Sequence, residues 1–115
     1  MAPADQLSRV FSALADPTRR HMVARLTMAD ATVNELAEPF DMSLQAVSKH
    51  VQVLERAGLI SKSRDAQYRP CRLEAASIEP AIDWLEQHQR VWTERFDRLS
   101  DHLESIQRKA KDRPT

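Results

Sequence analysis

Four polar side chains recur at helical spacing in the middle of the chain, and their chemistry suits contact with a nucleic acid. They are Gln45, Lys49, Gln52 and Arg56. At 100° per residue they share one side of a helix, with Ser48 beside them. Glutamine amides pair with adenine edges, and lysine and arginine bind guanine or phosphate. The stripe therefore has the donors and acceptors of a helix that enters a DNA major groove, although an ordinary solvated face would look similar.

The opposite side of the same segment is apolar, which indicates a helix packed on a core. Its residues are Leu44, Val47, Val51 and Leu54. Ser43 is a good N-cap, and Gly58, the only glycine of the sequence, fits the left-handed position just past a helix end. We therefore predict a recognition helix over residues 43–58.

A basic segment follows at once and has the pattern of a β-hairpin. Two short runs, 59–64 and 68–73, surround Asp65-Ala66-Gln67. The runs carry Lys62, Arg64, Arg69 and Arg72. Residues 59–73 are therefore predicted to form a wing with a cationic rim beside the recognition helix.

The formal charge of zero hides a polarised chain. Residues 43–73 carry six Lys and Arg against two Asp and Glu, whereas the segments on either side are each acidic by two charges. A local excess of about four cations is enough for phosphate contacts.

Length and composition narrow the class of protein further. The chain has 115 residues, which favours one domain over a bilobed enzyme. It has no apolar run of membrane-spanning length, no signal-peptide pattern and one cysteine, so we expect a cytoplasmic protein. No phosphate loop or nucleophile with a positioned base is recognisable, and an enzyme is the weakest reading.

Three short helices are predicted ahead of the recognition helix. Leu7, Val10, Phe11 and Leu14 recur at helical spacing, and Asp16-Pro17 then starts a second helix that ends near Thr27. Thr32 and Glu35 form a capping box for a third. A short helix, a tight turn and a longer helix with a polar outer face make a helix-turn-helix.

The last predicted helix covers residues 77–109, with Ser77 as its cap and residues 110–115 as a flexible tail. It has an apolar seam in alternating steps of four and three, interrupted at Gln89. The seam comprises Ile78, Ile82, Leu85, Trp92, Phe96, Leu99, Leu103 and Ile106. A helix about 50 Å long cannot bury this seam on a core of about 80 residues, so part of it should pack on a second subunit.

With these elements in place, the chain resembles the ArsR/SmtB family of winged helix-turn-helix repressors. The motifs that carry the resemblance are DPTRR at 16–20, VNELA at 33–37, the run from Ser43 to Ile60, and YRPCRL at 68–73. The resemblance implies a mainly α fold with a small β-hairpin, in one domain over residues 1–109. It also implies a homodimer that binds an imperfect palindrome in double-stranded DNA and blocks transcription.

The resemblance also implies roles for individual residues. Major-groove contacts fall to Ser43, Gln45, Ser48, Lys49 and Gln52, with Arg56 nearer the backbone and Arg64, Gln67 and Arg69 beside the minor groove. The dimer interface falls to Leu7, Val10, Phe11, Ile82, Leu85, Trp92, Phe96, Leu99 and Leu103. Relatives often have Gly-Arg at the wing tip, where this chain has Ala66-Gln67, and Pro70 removes a backbone donor. The wing should therefore contribute less than in relatives.

Several residues leave room for other roles. Many relatives sense metals through a cysteine pair in the third helix, which is absent here. The acidic and histidine residues of the last helix do not reproduce the family's second metal site, so we expect no metal or cofactor. They are Asp83, His88, Asp101, His102 and Glu104.

Other sites keep two readings open. Cys71 lies near Arg69 and Arg72, which would make its thiol oxidisable, although inert packing is more common. His50 could contact phosphate or make a structural hydrogen bond. A cavity beside Trp84 and Trp92 could bind an unidentified effector. The main alternative to DNA binding is a protein-interaction module that uses the last helix.

Overall fold

The computed structural model describes residues 5–64 and 68–111, and these are mainly helical with one two-stranded hairpin. In chain order the helices and strands are α1 (Gln6–Leu14), α2 (Pro17–Met28), α3 (Val33–Ala37), α4 (Leu44–Arg56), β1 (Ile60–Lys62), β2 (Cys71–Leu73) and α5 (Glu79–Lys111). A single 3₁₀ turn, Ala75–Ser77, precedes α5. The predicted fold class is confirmed.

Side-chain caps fix where the first four helices begin. A cap residue satisfies one of the backbone N–H groups that a helix start leaves unpaired. Asp5, Asp16, Thr32 and Ser43 each accept such a bond from the residue three positions later, at 2.7, 3.0, 3.2 and 3.1 Å. The capping box is complete, because the Glu35 carboxylate also accepts from the Thr32 N–H at 3.0 Å.

The hairpin is antiparallel and short. Ile60 pairs with Leu73, and Lys62 pairs with Cys71. The other edge of β2 is paired too, since Ala31 and Cys71 exchange two backbone hydrogen bonds of 3.2 and 2.7 Å. This bridge attaches the wing to the segment between α2 and α3.

The core lies within the first of two compact units, which ends at Ala81. Apolar residues from α1, α2, α3, α4 and both strands form one buried cluster. Its largest fully buried members are Met22, Leu36, Leu54, Leu59, Val10, Val47, Val51 and Cys71. Full burial of one such aliphatic side chain is worth about 1.5–3 kcal/mol, so this cluster makes a large contribution to the stability of the fold.

Val10 was assigned to the dimer interface, but its side chain is only 1% exposed in the single subunit. It is a core residue with almost no surface left for a partner. Its neighbours Leu7 and Phe11 are only partly buried against the core.

The second unit begins at Ile82, and its described residues, 82–111, all belong to α5. The helix begins at Glu79, two residues later than predicted, because Ser77 closes the 3₁₀ turn and does not cap α5. It continues to Lys111, beyond the expected end at residue 109, and the rest of the predicted tail lies outside the described residues. No helix in the described ranges combines the length and apolar character needed to cross a lipid bilayer.

Candidate nucleic-acid interface

The polar stripe of α4 is fully presented to solvent. Gln45, Lys49, Gln52 and Arg56 are all exposed, and Ser48 is half-buried beside them. On the other side of the helix, Val47, Val51 and Leu54 have no exposed surface. Leu44 departs from the prediction, because it lies in the first turn and is 51% exposed. The helix therefore has a fixed packed face and a continuous hydrogen-bonding face.

Gly58 ends this helix in the left-handed conformation, with φ +76°. The Leu59 N–H donates to the Leu54 carbonyl at 3.0 Å, and the Gly58 N–H donates to Glu55 at 2.9 Å. This is the Schellman arrangement, whose left-handed turning residue is usually glycine because glycine has no Cβ. The exit of the chain from α4 toward the wing is therefore set by the glycine.

Residues at the start of α2 contact the middle of α4. Arg19 donates to the carbonyl groups of Ala13 at 2.7 Å and Ser12 at 3.2 Å, at the end of α1. Its guanidinium also lies 3.2 Å from Nδ1 of His50, and Asp16 is 4.0 Å from the same nitrogen. Of the two roles left open for His50, the structure supports the structural hydrogen bond.

Asp16 is the acidic residue among these contacts between the end of α1, the start of α2 and the middle of α4. The Arg19 backbone N–H that it accepts is the main cause of a lowered pKa of its carboxyl group, and the nearby positive charge of Arg19 adds to the effect. The group is therefore kept ionised as the cap of α2.

Two of the four wing cations form ion pairs that the sequence pattern did not reveal. Lys62 lies 3.4 Å from the Glu55 carboxylate, and Arg72 lies 3.5 Å from Asp30. Arg64 and Arg69 are exposed, and the Arg69 Nε donates to the Ser63 carbonyl at 3.3 Å. Gln67 lies outside the described residues.

A groove of about 390 Å³, here called the α3–wing groove, runs between α3, the start of α4 and the wing. Its lining includes Asn34, Lys62 and Tyr68, which the sequence analysis did not select as DNA-contacting residues. The Tyr68 hydroxyl donates to the Glu35 carboxylate at 3.4 Å, and that negative charge raises the Tyr68 pKa. No local pattern predicts this contact, because the two residues are 33 positions apart.

Cys71 is fully buried in β2, and burial raises the pKa of its thiol. The hypothesis that the nearby arginines activate it is therefore wrong, since the thiolate is the reactive form. The bridge to Ala31 places this strand inside the fold.

The polar residues of α5 show no arrangement for a metal. Across residues 5–64 and 68–111, no three His, Cys, Asp or Glu side chains converge on a common point. The His88 ring stacks on Trp84 with centroids 4.1 Å apart. Its Nδ1 lies 2.8 Å from the Trp84 carbonyl, and because a carbonyl only accepts, that nitrogen carries the hydrogen.

Together, the short helix α3, the turn, the exposed stripe of α4 and the adjoining hairpin define a winged helix-turn-helix domain. A helix-turn-helix family model matches residues 14–62, which include α2 through β1. The chain is 33% identical to the transcriptional repressor SdpR of Bacillus subtilis over 79 residues, 69% of this chain and 88% of the relative. It is 35% identical to the HTH-type transcriptional regulator Rv2034 of Mycobacterium tuberculosis, over 74% of this chain and 77% of the relative.

Among solved structures, the chain resembles an ArsR family transcriptional regulator, RHA00566, with 42% identity and a TM-score of 0.72. The match covers 77% of this chain and 98% of that one. The chain belongs to the ArsR/SmtB-type winged helix-turn-helix transcriptional regulators. This membership favours DNA binding over the protein-interaction module that the sequence had left open, and it is a class of regulators, not of enzymes.

Proposed function

We propose that this protein is a homodimeric repressor that reads an imperfect palindrome in double-stranded DNA through α4. The observation that carries the proposal is the exposed stripe of Gln45, Lys49, Gln52 and Arg56 on a helix whose opposite face is locked into the core. Side chains that project from a rigid element can be held in register with base edges, which a mobile loop cannot do.

The proposed DNA contacts differ with the chemistry of each side chain. Gln45 and Gln52, with Ser43 and Ser48, supply hydrogen bonds to base edges. Lys49 and Arg56 supply charge to the groove and its phosphates, and Arg64, Gln67 and Arg69 of the wing reach the neighbouring minor groove. The Lys62–Glu55 ion pair links the wing to α4.

A second subunit is needed for the palindrome, and the apolar seam of α5 is where it would bind. Trp92 is 67% exposed, Phe96 59%, and Leu99 54%. Ile82, Leu85 and Leu103 are exposed to a similar degree. Contiguous apolar surface of this extent marks an interface. Leu7 and Phe11 of α1 complete the proposed interface.

The regulator would act in the cytoplasm, which holds the DNA in bacteria. We propose no resident cofactor or metal.

Selection of duplexes from a random library by the purified protein tests the proposal. We expect enrichment of an inverted repeat whose half-sites lie about one helical turn apart. Gln45→Ala and Gln52→Ala should relax the base preference by about 1–3 kcal/mol per lost bidentate pair and leave nonspecific binding nearly unchanged. Lys49→Ala should weaken binding to all sequences and reduce its salt dependence. Enrichment of no sequence, or equal enrichment by the double glutamine variant, would refute base reading by this helix.

A further inference from the structure

A second groove, here called the α1–α4 groove, lies on the side of α4 away from the wing. Its volume is about 380 Å³. From α1 it is lined by Ser8, Arg9 and Ser12, and from α4 and its end by Val53, Arg56 and Ala57. Ala57 is buried and Val53 half-buried, whereas the two arginines and two serines are exposed. The groove therefore has an apolar floor and a rim of hydrogen-bond donors.

The rim carries a net positive charge. The lining of the groove holds two arginines and no acidic residue. Asp5, the acid nearest to Arg9 in the chain, caps α1. Its pKa is lowered mainly by the Ser8 backbone N–H and also by the charge of Arg9, so Asp5 offsets part of that charge. Glu55, next to Arg56, is ion-paired with Lys62 on the other side of α4. The Arg9 guanidinium is held by Gln6 at 3.2 Å, and Gln6 in turn donates to the Ala57 carbonyl at 2.5 Å. Arg9 is thus tied to the end of α4.

The groove continues the polar stripe of α4. Arg56 is the last member of the stripe and also lines the groove. Viewed along the helix axis, Val53 lies less than a quarter turn from the stripe on one side. Ser48 and Leu44 lie on the other side of the stripe, where they line the α3–wing groove. The stripe is therefore bordered by the wing on one flank and by Arg9, Ser8 and Ser12 on the other.

We propose that α1 forms part of the DNA-binding surface, with Arg9 and the hydroxyls of Ser8 and Ser12 contacting phosphates of the strand that borders the major groove. Guanidinium and hydroxyl groups are common donors to phosphate oxygens. The groove is open along its length, so a small molecule would keep much of its surface in water, whereas a sugar-phosphate chain can lie along it. This inference rests on the proposed function, since it needs α4 in the major groove.

The test is the salt dependence of binding to the selected duplex and to a scrambled duplex of equal length. Arg9→Gln should weaken binding to both by about three- to tenfold at low salt and lower the slope of log affinity against log salt by about one per subunit. Ser8→Ala with Ser12→Ala should give a smaller loss and leave the slope unchanged, because hydroxyls release no counterions. Arg20→Gln is the matched control, since Arg20 is an exposed arginine of α2 whose guanidinium donates to the Leu14 carbonyl.

An unchanged slope in Arg9→Gln, with Lys49→Ala still lowering it, would overturn the inference and leave the proposed function intact. Absence of DNA binding by the unmodified protein would instead refute the proposed function itself. Sodium octanoate, added at fixed ionic strength, tests whether the groove binds a small organic anion instead of DNA phosphate. Octanoate could weaken DNA binding by the unmodified protein but not by Arg9→Gln, while the slope of log affinity against log salt is the same in both proteins. In that case the groove is an organic-anion site and the inference is wrong. Thermal unfolding and sedimentation of each variant exclude losses of fold or assembly.

Discussion

The two compact units of this chain differ in whether their large apolar side chains are buried or exposed. Up to Ala81, the large core side chains are buried within the subunit, and helix caps and strand bridges fix their positions. From Ile82 onward, α5 exposes its large apolar residues, and the described part of that unit has no core of its own. The first unit therefore has a core of its own, while the second has the exposed apolar seam that the proposed dimer would cover.

This contrast fits the division of labour in the dimeric regulator that we propose. Base reading needs side chains in fixed register, and the buried face of α4 provides it. Assembly needs exposed apolar area, and the seam of α5 would provide it. The predictions below test the contrast from its largest consequence to its smallest.

Leu54→Ala should give the largest loss of stability, because Leu54 has no exposed surface. Large-to-small changes in a core cost about 2–5 kcal/mol. Denaturant unfolding should show this loss at every protein concentration. The matched change in α5, Leu103→Ala, should show a smaller loss that grows with concentration as the dimer forms. A concentration-independent loss for Leu103→Ala equal to that of Leu54→Ala would contradict the contrast.

Trp92→Glu should separate the subunits, because it places a charge at the most exposed apolar position of the seam. Removing such an interface residue costs at least about 2 kcal/mol, or roughly 30-fold in dimer affinity. Sedimentation velocity should report monomer, and affinity for the two-site duplex should fall accordingly. The control is Gln87→Glu, which adds the same charge on the opposite side of α5. Dimer formation that survives Trp92→Glu unchanged would remove the seam from the interface.

Asp16→Ala should lower the Tm of the first unit by a few degrees, because the cap of α2 is lost. Asp16→Asn keeps a capping oxygen but removes the charge that faces Arg19 and His50. The pKa of Asp16 is lowered below 3.8, so its charge contributes stability above about that pH and the contribution is lost as the pH falls through the lowered value. The gap in Tm between the protein and Asp16→Asn should therefore close in acid. A gap that widens below pH 3.8 would show that the charge is unfavourable.

Thiol labelling compares the accessibility of a core residue in the first unit with that of a seam residue in the second. Cys71, the only cysteine of the sequence, should resist a thiol reagent until the protein unfolds, because it is buried and its pKa is raised. A cysteine introduced by Leu99→Cys, in a Cys71→Ser background, should react quickly in dilute protein and slowly when dimer dominates. Rapid labelling of Cys71 in the folded protein would reopen oxidation sensing.

Local sequence rules were enough to predict the starts of α2, α3 and α4 and the end of α4, whereas the Asp5 cap of α1 was not predicted. Each depends on residues a few positions apart, such as the capping box at Thr32 and Glu35 or Gly58 after the apolar run. The exposed stripe followed from helical periodicity, which needs only a core on the other side.

Contacts between distant segments could not be predicted. The Ala31–Cys71 bridge buries a thiol that looked accessible beside two arginines. Arg19 reaches His50 across 31 positions, which settled a choice that the sequence left open. Val10 illustrates the same limit, because periodicity places a residue on the apolar side of a helix but does not say whether that side meets the subunit's own core or a partner.

The spacing of the two half-sites tests the central claim, that paired subunits present two copies of α4 to one side of a duplex. Insertion of about half a helical turn of DNA between the half-sites should reduce binding to that of a single half-site, and insertion of a full turn should restore part of it. Affinity that is the same for all three spacings would mean that the two helices do not act together, and the account would be wrong.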